Sequence, residues 1–140
     1  MPQKPPSKKN EKSNQEFTTA PRVHARAWLE WHGEPFLGPG RAALLEGVAL
    51  HGSISRAATD VGVSFRTAWN WIEHMNAAAG HLLVVTTDGG RGGGGARLTS
   101  TGEAALHAIG ALNAELDGFV RTMDQRVATL FVQTSSGDSV

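Results

Sequence analysis

Ser53 to Met75 reads SISRAATDVGVSFRTAWNWIEHM, and the fold turns on how those residues are divided. They fit two short helices with a tight turn between them. Ser55 is positioned to cap the first helix, and Ala57, Ala58 and Val61 give it a small apolar face. Gly62 stands where a left-handed C-terminal cap belongs, a conformation that glycine enters without a Cβ penalty. Val63 should point inward, and Ser64 should cap the second helix. Small Ala58 lets the two helices approach closely. This is the spacing of a helix-turn-helix.

On a helical wheel of roughly 100° per residue, with Ala68 at zero, Phe65, Trp71, Ile72 and Met75 fall within about 60° of it and form one apolar stripe. Arg66, Asn70, Glu73, His74 and Ala77 fall on the opposite face, with Thr67 and Trp69 on the flanks. A helix that buries one side and shows Arg66, Thr67 and Asn70 near its N-terminus carries the groups a DNA major groove accepts. Arginine bonds guanine, asparagine bonds adenine, and threonine meets a phosphate or a thymine methyl. The candidate contacts on this recognition helix are Ser64, Arg66, Thr67, Asn70 and His74. Ser53, Ser55 and Arg56 of the preceding helix are added to them.

Downstream, HLLVVTT (His81 to Thr87) has the β-branched composition of a strand. Next comes DGGRGGGGA, in which six of the seven residues from Gly89 to Gly95 are glycine. Arg97-Leu98-Thr99 then resumes as a second strand. A strand, a glycine turn and a strand directly after the recognition helix have the layout of a wing. Its glycines permit close approach to a phosphate or a minor groove, with Arg91 at the tip and Arg97 on the strand as charged contacts. A nucleotide-phosphate loop is the weaker reading. The Gly-Lys-Ser/Thr ending is missing, and a strand follows rather than a helix.

Upstream, Arg22 to Trp31 alternates like a strand, with Val23, Ala25, Ala27, Leu29 and Trp31 on one side. His32-Gly33 makes a two-residue hairpin turn, and Glu34 to Leu37 returns. Gly38-Pro39-Gly40 breaks the chain. Arg41 to His51 then reads as a helix closed by Gly52, the third wall of a three-helix core. After Thr99, Ser100 and Glu103 have capping-box spacing, with Thr99 as the rival cap. From there to about Phe131 apolar residues recur at Ala105, Ile109, Leu112, Leu116, Phe119, Met123 and Leu130, a heptad seam interrupted at Arg126. A second copy of the chain is the simplest cover for that stripe. Ile109, Leu112, Leu116, Phe119, Met123 and Leu130 are therefore the candidate dimerisation residues, and a symmetric dimer would present two recognition helices to a two-fold operator.

The expected architecture is α+β, mainly α: a winged helix-turn-helix with an N-terminal β-hairpin and a long C-terminal dimerisation helix. Its parts are a disordered basic tail over 1–20, the DNA-binding domain over 21–99, the dimerisation helix over 100–132 and a flexible tail over 133–140. The chain has 140 residues, no cysteine and a net charge of zero. The charge is unevenly spread: +4 over Met1 to Arg26, −2 over Ala27 to Gly40, +1 over Arg41 to Thr99 and −3 from Ser100 onward. A few well-placed cations suffice for phosphate contacts, which would make binding salt-sensitive. No disulfide framework or thiolate metal site is possible. No apolar run approaches the roughly 20 residues that span a bilayer, and the lysine-rich start is no secretory signal, so the cytoplasm is the expected location. The six histidines, His24, His32, His51, His74, His81 and His107, show no metal-binding spacing. No nucleophile elbow appears. Neither catalysis nor a metal or other cofactor is expected. The competing reading is a protein–protein adaptor on the same fold that does not touch DNA.

GPGRAALLEGVALHGSISRAATDVGVSFRTAWNWIEHMN (Gly38 to Asn76) and GGRGGGGARLTSTGE (Gly89 to Glu103) together resemble the N-terminal DNA-binding domain of the ModE family. These are bacterial and archaeal molybdate-responsive transcriptional regulators, related in their winged helix-turn-helix to LysR-type regulators. The resemblance runs from about Val23 to Phe131. It implies a homodimer on double-stranded DNA carrying a palindromic operator, with the helix-turn-helix at Ser53 to Met75 and the wing at Val84 to Leu98. Full-length members continue into oxyanion-binding domains. This sequence ends at Val140, so direct molybdate binding is not expected of it.

Overall fold

The structure is a computed structural model that describes residues 20–87 and 94–135. In chain order the elements are β1 (Leu29–Trp31), β2 (Glu34–Leu37), α1 (Pro39–His51), α2 (Ile54–Val61), α3 (Phe65–Ala79), β3 (Val84–Thr87), β4 (Gly95–Leu98) and α4 (Ser100–Ser135). The chain divides into two compact units. One is Ala25–Phe119; the other joins the chain up to His24 with Val120 onward. The expected tail over 1–20, apart from Ala20, lies outside the described residues, as do residues 136–140 of the expected C-terminal tail.

In the larger unit the elements form because local signals and burial agree. Pro39 occupies the first turn of α1, where its missing N–H costs no hydrogen bond. Gly52, Gly62 and Gly80 close α1, α2 and α3 in turn, each with a left-handed backbone. The core is lined by Leu37, Leu44, Leu45, Val48, Ala57, Ala58, Ala68, Ile72, Met75, Leu83 and Ile109, all almost fully buried. This is the three-helix core foreseen from the sequence, joined by the first turns of α4.

The closest packing is between α1 and α2. A Cβ built on Gly47 would lie 2.7 Å from the Ala57 Cβ and 2.9 Å from its Cα. The missing side chain of Gly47 permits that separation.

The N-terminal hairpin is shorter than the alternation suggests: pairing begins at Leu29, not Arg22. β2 is only four residues long and runs straight into α1, so it offers no facing strand residue beyond Leu37 and the pairing ends at Leu29. The turn is as expected. His32 and Gly33 both have positive φ, at 51° and 78°, as a two-residue hairpin turn requires. A bulge falls where Leu29 pairs with Leu37 and Glu30 with Pro35. The register break lets consecutive Phe36 and Leu37 both enter the core. Trp31 packs edge-on against Phe36, with ring centroids 5.1 Å apart.

β3 starts at Val84, three residues later than expected, because the preceding backbone is used elsewhere. The Leu83 N–H donates to Asn76 Oδ1 at 2.8 Å, and the Leu82 carbonyl accepts from the Thr99 hydroxyl at 2.6 Å. β3 and β4 pair antiparallel from Val84↔Leu98 to Thr87↔Gly95. The Ala96 N–H donates to the Gly52 carbonyl at 2.9 Å and ties this hairpin to the end of α1. Thr99, not Ser100, caps α4: its Oγ1 accepts from the Gly102 N–H at 3.1 Å. α4 runs to Ser135, past the expected end at 132.

In the smaller unit, Asp124 accepts from the Val23 N–H at 2.6 Å and pairs with Arg22 at 3.6 Å. Residues that the alternation assigned to a strand are held by one carboxylate instead.

Two glycine substitutions should separate close packing from helix propensity. Gly47→Ala should destabilise the fold by about 1–3 kcal/mol, because Ala57 is buried and backbone must move. Gly110→Ala, on the exposed face of α4 with nothing near the new Cβ, should stabilise by about 0.5–1 kcal/mol. Urea denaturation of both variants checks the opposite signs. A second tight site predicts a larger effect. A Cβ on Gly102 would sit 2.3 Å from the Leu83 carbonyl oxygen, so Gly102→Ala should lower the thermal midpoint further than Gly47→Ala does.

Candidate nucleic-acid interface

The candidate surface is built on α3. Ser64 has an extended backbone, and its Oγ accepts from the Thr67 N–H at 3.0 Å, which fixes the first turn. The same hydroxyl donates to Thr67 Oγ1 at 3.0 Å, so Ser64 and Thr67 are engaged with each other. The buried stripe of α3 begins at Ala68 and continues through Ile72, Met75, Ala78 and Ala79. With that side buried, Arg66, Asn70, Glu73, His74 and Ala77 are exposed, as the wheel predicts. The first turn of α3 contains no acidic residue.

Phe65 departs from the expectation. Placed in the buried stripe by its wheel angle, it is 51% exposed. The angle is right but the height is wrong: Phe65 is the first residue of α3, one turn short of Ala68, where core contact starts. Trp69 is 38% exposed, and the two rings lie 6.3 Å apart. Trp71 is half-buried against the core.

On α2 the cap is Ser53 rather than Ser55. Ser53 Oγ accepts from the Arg56 N–H at 3.2 Å, because Gly52 ends α1 and leaves Ser53 as the first extended residue. Ser55 lies inside the helix, exposed, with its carbonyl accepting from the Thr59 hydroxyl at 3.0 Å. Ser55, Arg56 and Thr59 line a shallow cleft of about 220 Å³ with His51 and Asp60, which are joined Nε2 to Oδ2 at 2.5 Å.

Arg97 is exposed on β4, opposite Val85. Arg91 lies outside the described residues. Thr87 Oγ1 accepts from the Gly95 N–H at 3.1 Å and donates to the Gly95 carbonyl at 3.3 Å, closing the base of the segment that carries Arg91. Among the described residues the ion pairs are Arg22–Asp124 and His51–Asp60, so Arg56, Arg66 and Arg97 have no carboxylate partner there.

Arg41, near the start of α1, is engaged with the hairpin. Its Nη1 donates to the Pro35 and Phe36 carbonyls, each at 3.3 Å, and fastens the β1–β2 hairpin to the start of α1. Arg41 also lines a cleft of about 440 Å³ with Glu34, Pro35, Ala77, Ala78 and His74. His74 thus faces the hairpin side of α3. His32, which no sequence pattern singles out beyond its turn position, bonds through Nδ1 to the Ala78 carbonyl at 2.8 Å and holds the hairpin to the end of α3.

The proposed seam on α4 divides. Ile109 is 2% exposed and, with Ala105, belongs to the core of its own chain, so it is withdrawn from the dimerisation set. Leu112 is half-buried against that core. Leu116 and Met123 are half-buried, whereas Phe119 and Leu130 are exposed at 57% and 61%. Among the described residues no cluster of three metal-ligating side chains occurs, and no helix is long and apolar enough to cross a membrane.

No family model matches the chain. Over 88 residues it is 41% identical to the molybdenum-pterin-binding protein MopA of Rhodobacter capsulatus, covering 63% of this chain and 33% of that protein. The DNA-binding transcriptional dual regulator ModE of Escherichia coli is 48% identical over 68 residues, 49% of this chain and 26% of that protein. The molybdenum transport protein ModE of Azotobacter vinelandii is 38% identical over 109 residues, 78% of this chain and 40% of that protein. The chain therefore spans between about a quarter and two fifths of the length of these relatives. It is similar, over that part, to the molybdenum-linked ModE and Mop proteins.

Proposed function

We propose that the chain is a ModE-like transcription regulator that reads double-stranded DNA with a winged helix-turn-helix. In this reading α2 and α3 are the helix-turn-helix, the β3–β4 hairpin is the wing, and residues 21–99 form the DNA-binding domain. Arg66 and Asn70 approach base edges in the major groove, while Arg56, Arg97 and Arg91 meet phosphates. The observation that carries the reading is the exposed polar face of α3. Arg66 has no carboxylate partner among the described residues and stands in a first turn free of acidic residues, on a helix whose other side is locked into the core. The names of the relatives support it and suggest a link to molybdate or another metal oxyanion.

The operator is palindromic in this reading and the regulator is a homodimer. The exposed Phe119 and Leu130, with half-buried Leu112, Leu116 and Met123, are the pairing surface on α4. The dimerisation helix covers 100–132 and extends to the observed end at Ser135.

Two measurements test this. The first takes a duplex selected from a random-sequence library and follows its affinity against salt. Arg66→Ala should weaken binding by about 1–3 kcal/mol if the arginine bonds a base, or reduce the salt slope by about one if it meets a phosphate. Unchanged affinity and slope would remove α3 from the interface. The second is sedimentation of Phe119→Glu. A monomer that binds one half-site but loses tight binding to the full palindrome is the expected result. A dimer that survives a charge at that position would place the pairing surface elsewhere.

A further inference from the structure

We infer that the Phe65–Trp69 pair reads thymine by packing against its C5-methyl group in the major groove. The inference rests on the DNA-binding reading above and concerns which chemistry supplies its sequence selectivity.

The two rings are one helical turn apart, with centroids 6.3 Å apart and planes inclined at 42°. They are 51% and 38% exposed, whereas the apolar residues that follow on the same helix, Ala68, Ile72 and Met75, are at most 1% exposed. The pair is therefore not part of the core. It forms an apolar step at the N-terminal end of α3, bordering the face that carries Arg66 and Asn70. A recognition helix presents its N-terminal residues to base edges. In the major groove the one apolar group that marks a base is the thymine methyl, and an aromatic side chain is a suitable contact for it.

Charge complementarity favours nucleic acid over a protein partner as the occupant. Arg66 is adjacent in sequence to Phe65 and has no carboxylate partner among the described residues, and no acidic residue lies in that turn. Arg66 and Asn70 can bond guanine and adenine, but neither distinguishes thymine by its methyl. The aromatic pair supplies that missing discrimination.

The test uses the full chain and the duplex selected above, with each thymine replaced in turn by deoxyuridine. That change removes only the methyl and keeps base pairing. For the native chain, replacement at one or two positions per half-site should weaken binding about fourfold, the worth of one buried methyl-sized group. Phe65→Ala and Trp69→Ala should bind the thymine duplex more weakly, yet bind thymine and deoxyuridine duplexes alike. Both side chains are substantially exposed, so helix content by circular dichroism should not change.

A native chain indifferent to every deoxyuridine replacement overturns the inference. So do variants that keep the full methyl effect. Variants that lose affinity equally on both duplexes, with no methyl effect in the native chain, would mean packing on the sugar–phosphate backbone instead. All of these outcomes leave DNA binding standing. Selection that yields no duplex at all overturns the DNA-binding reading, and this inference with it.

Discussion

The contact between Gly47 and Ala57 is the constraint on which the rest of the larger unit depends. α1 and α2 come so close there that one additional methyl group would overlap backbone. With bulkier residues the two helices would stand farther apart, and Ala58 and Ala68 would no longer fill the space between α2 and α3. The core is built from small side chains at the helix contacts and larger ones around them: Leu44, Leu45, Val48, Ile72 and Met75. Close packing at this density leaves little room for adjustment. The outward set of α3 residues thus follows from an arrangement settled one helix earlier.

A second node ties the β3–β4 hairpin to the helices at both ends. Thr99 spends one hydroxyl on three jobs: it donates to Leu82, approaches the Leu83 carbonyl at 3.3 Å and accepts from Gly102 to start α4. Its own N–H bonds the Leu83 carbonyl, and Leu83 in turn bonds the Asn76 side chain of α3. The end of α3, the start of β3 and the start of α4 therefore share one hydrogen-bonded cluster. Gly102 is the residue that lets α4 begin so close to Leu83.

Much of this was legible because some residues have a single local meaning. Gly52 and Gly62 stand where helix stops belong, Ser64 where a cap belongs, and His32-Gly33 where a two-residue turn belongs. The errors came where the deciding fact is tertiary. The Ser53–Ser55 choice is the exception, a local signal passed over: Gly52, read as the end of α1, leaves Ser53 as the first extended residue before α2. Phe65 has the wheel angle of a core residue but stands above the core. Arg22 to Trp28 alternates like a strand, yet β2 is too short to pair with it. Ile109 fits a heptad seam, and its own domain claims it first. The position of Arg66 and Asn70 was readable from periodicity alone. The engagement of Arg41 by hairpin carbonyls was not, since no local pattern encodes a bond between those segments.

The caps on α3 have one more consequence. Ser64 pins its first turn, Gly80 ends its last, and the buried stripe between them cannot rotate without pulling Ile72 and Met75 out of the core. The helix is held in phase before any partner arrives. Whatever surface it meets finds the outward side chains already oriented, so beyond the translational, rotational and desolvation costs of any association, ordering this helix costs little more than the freezing of a few rotamers.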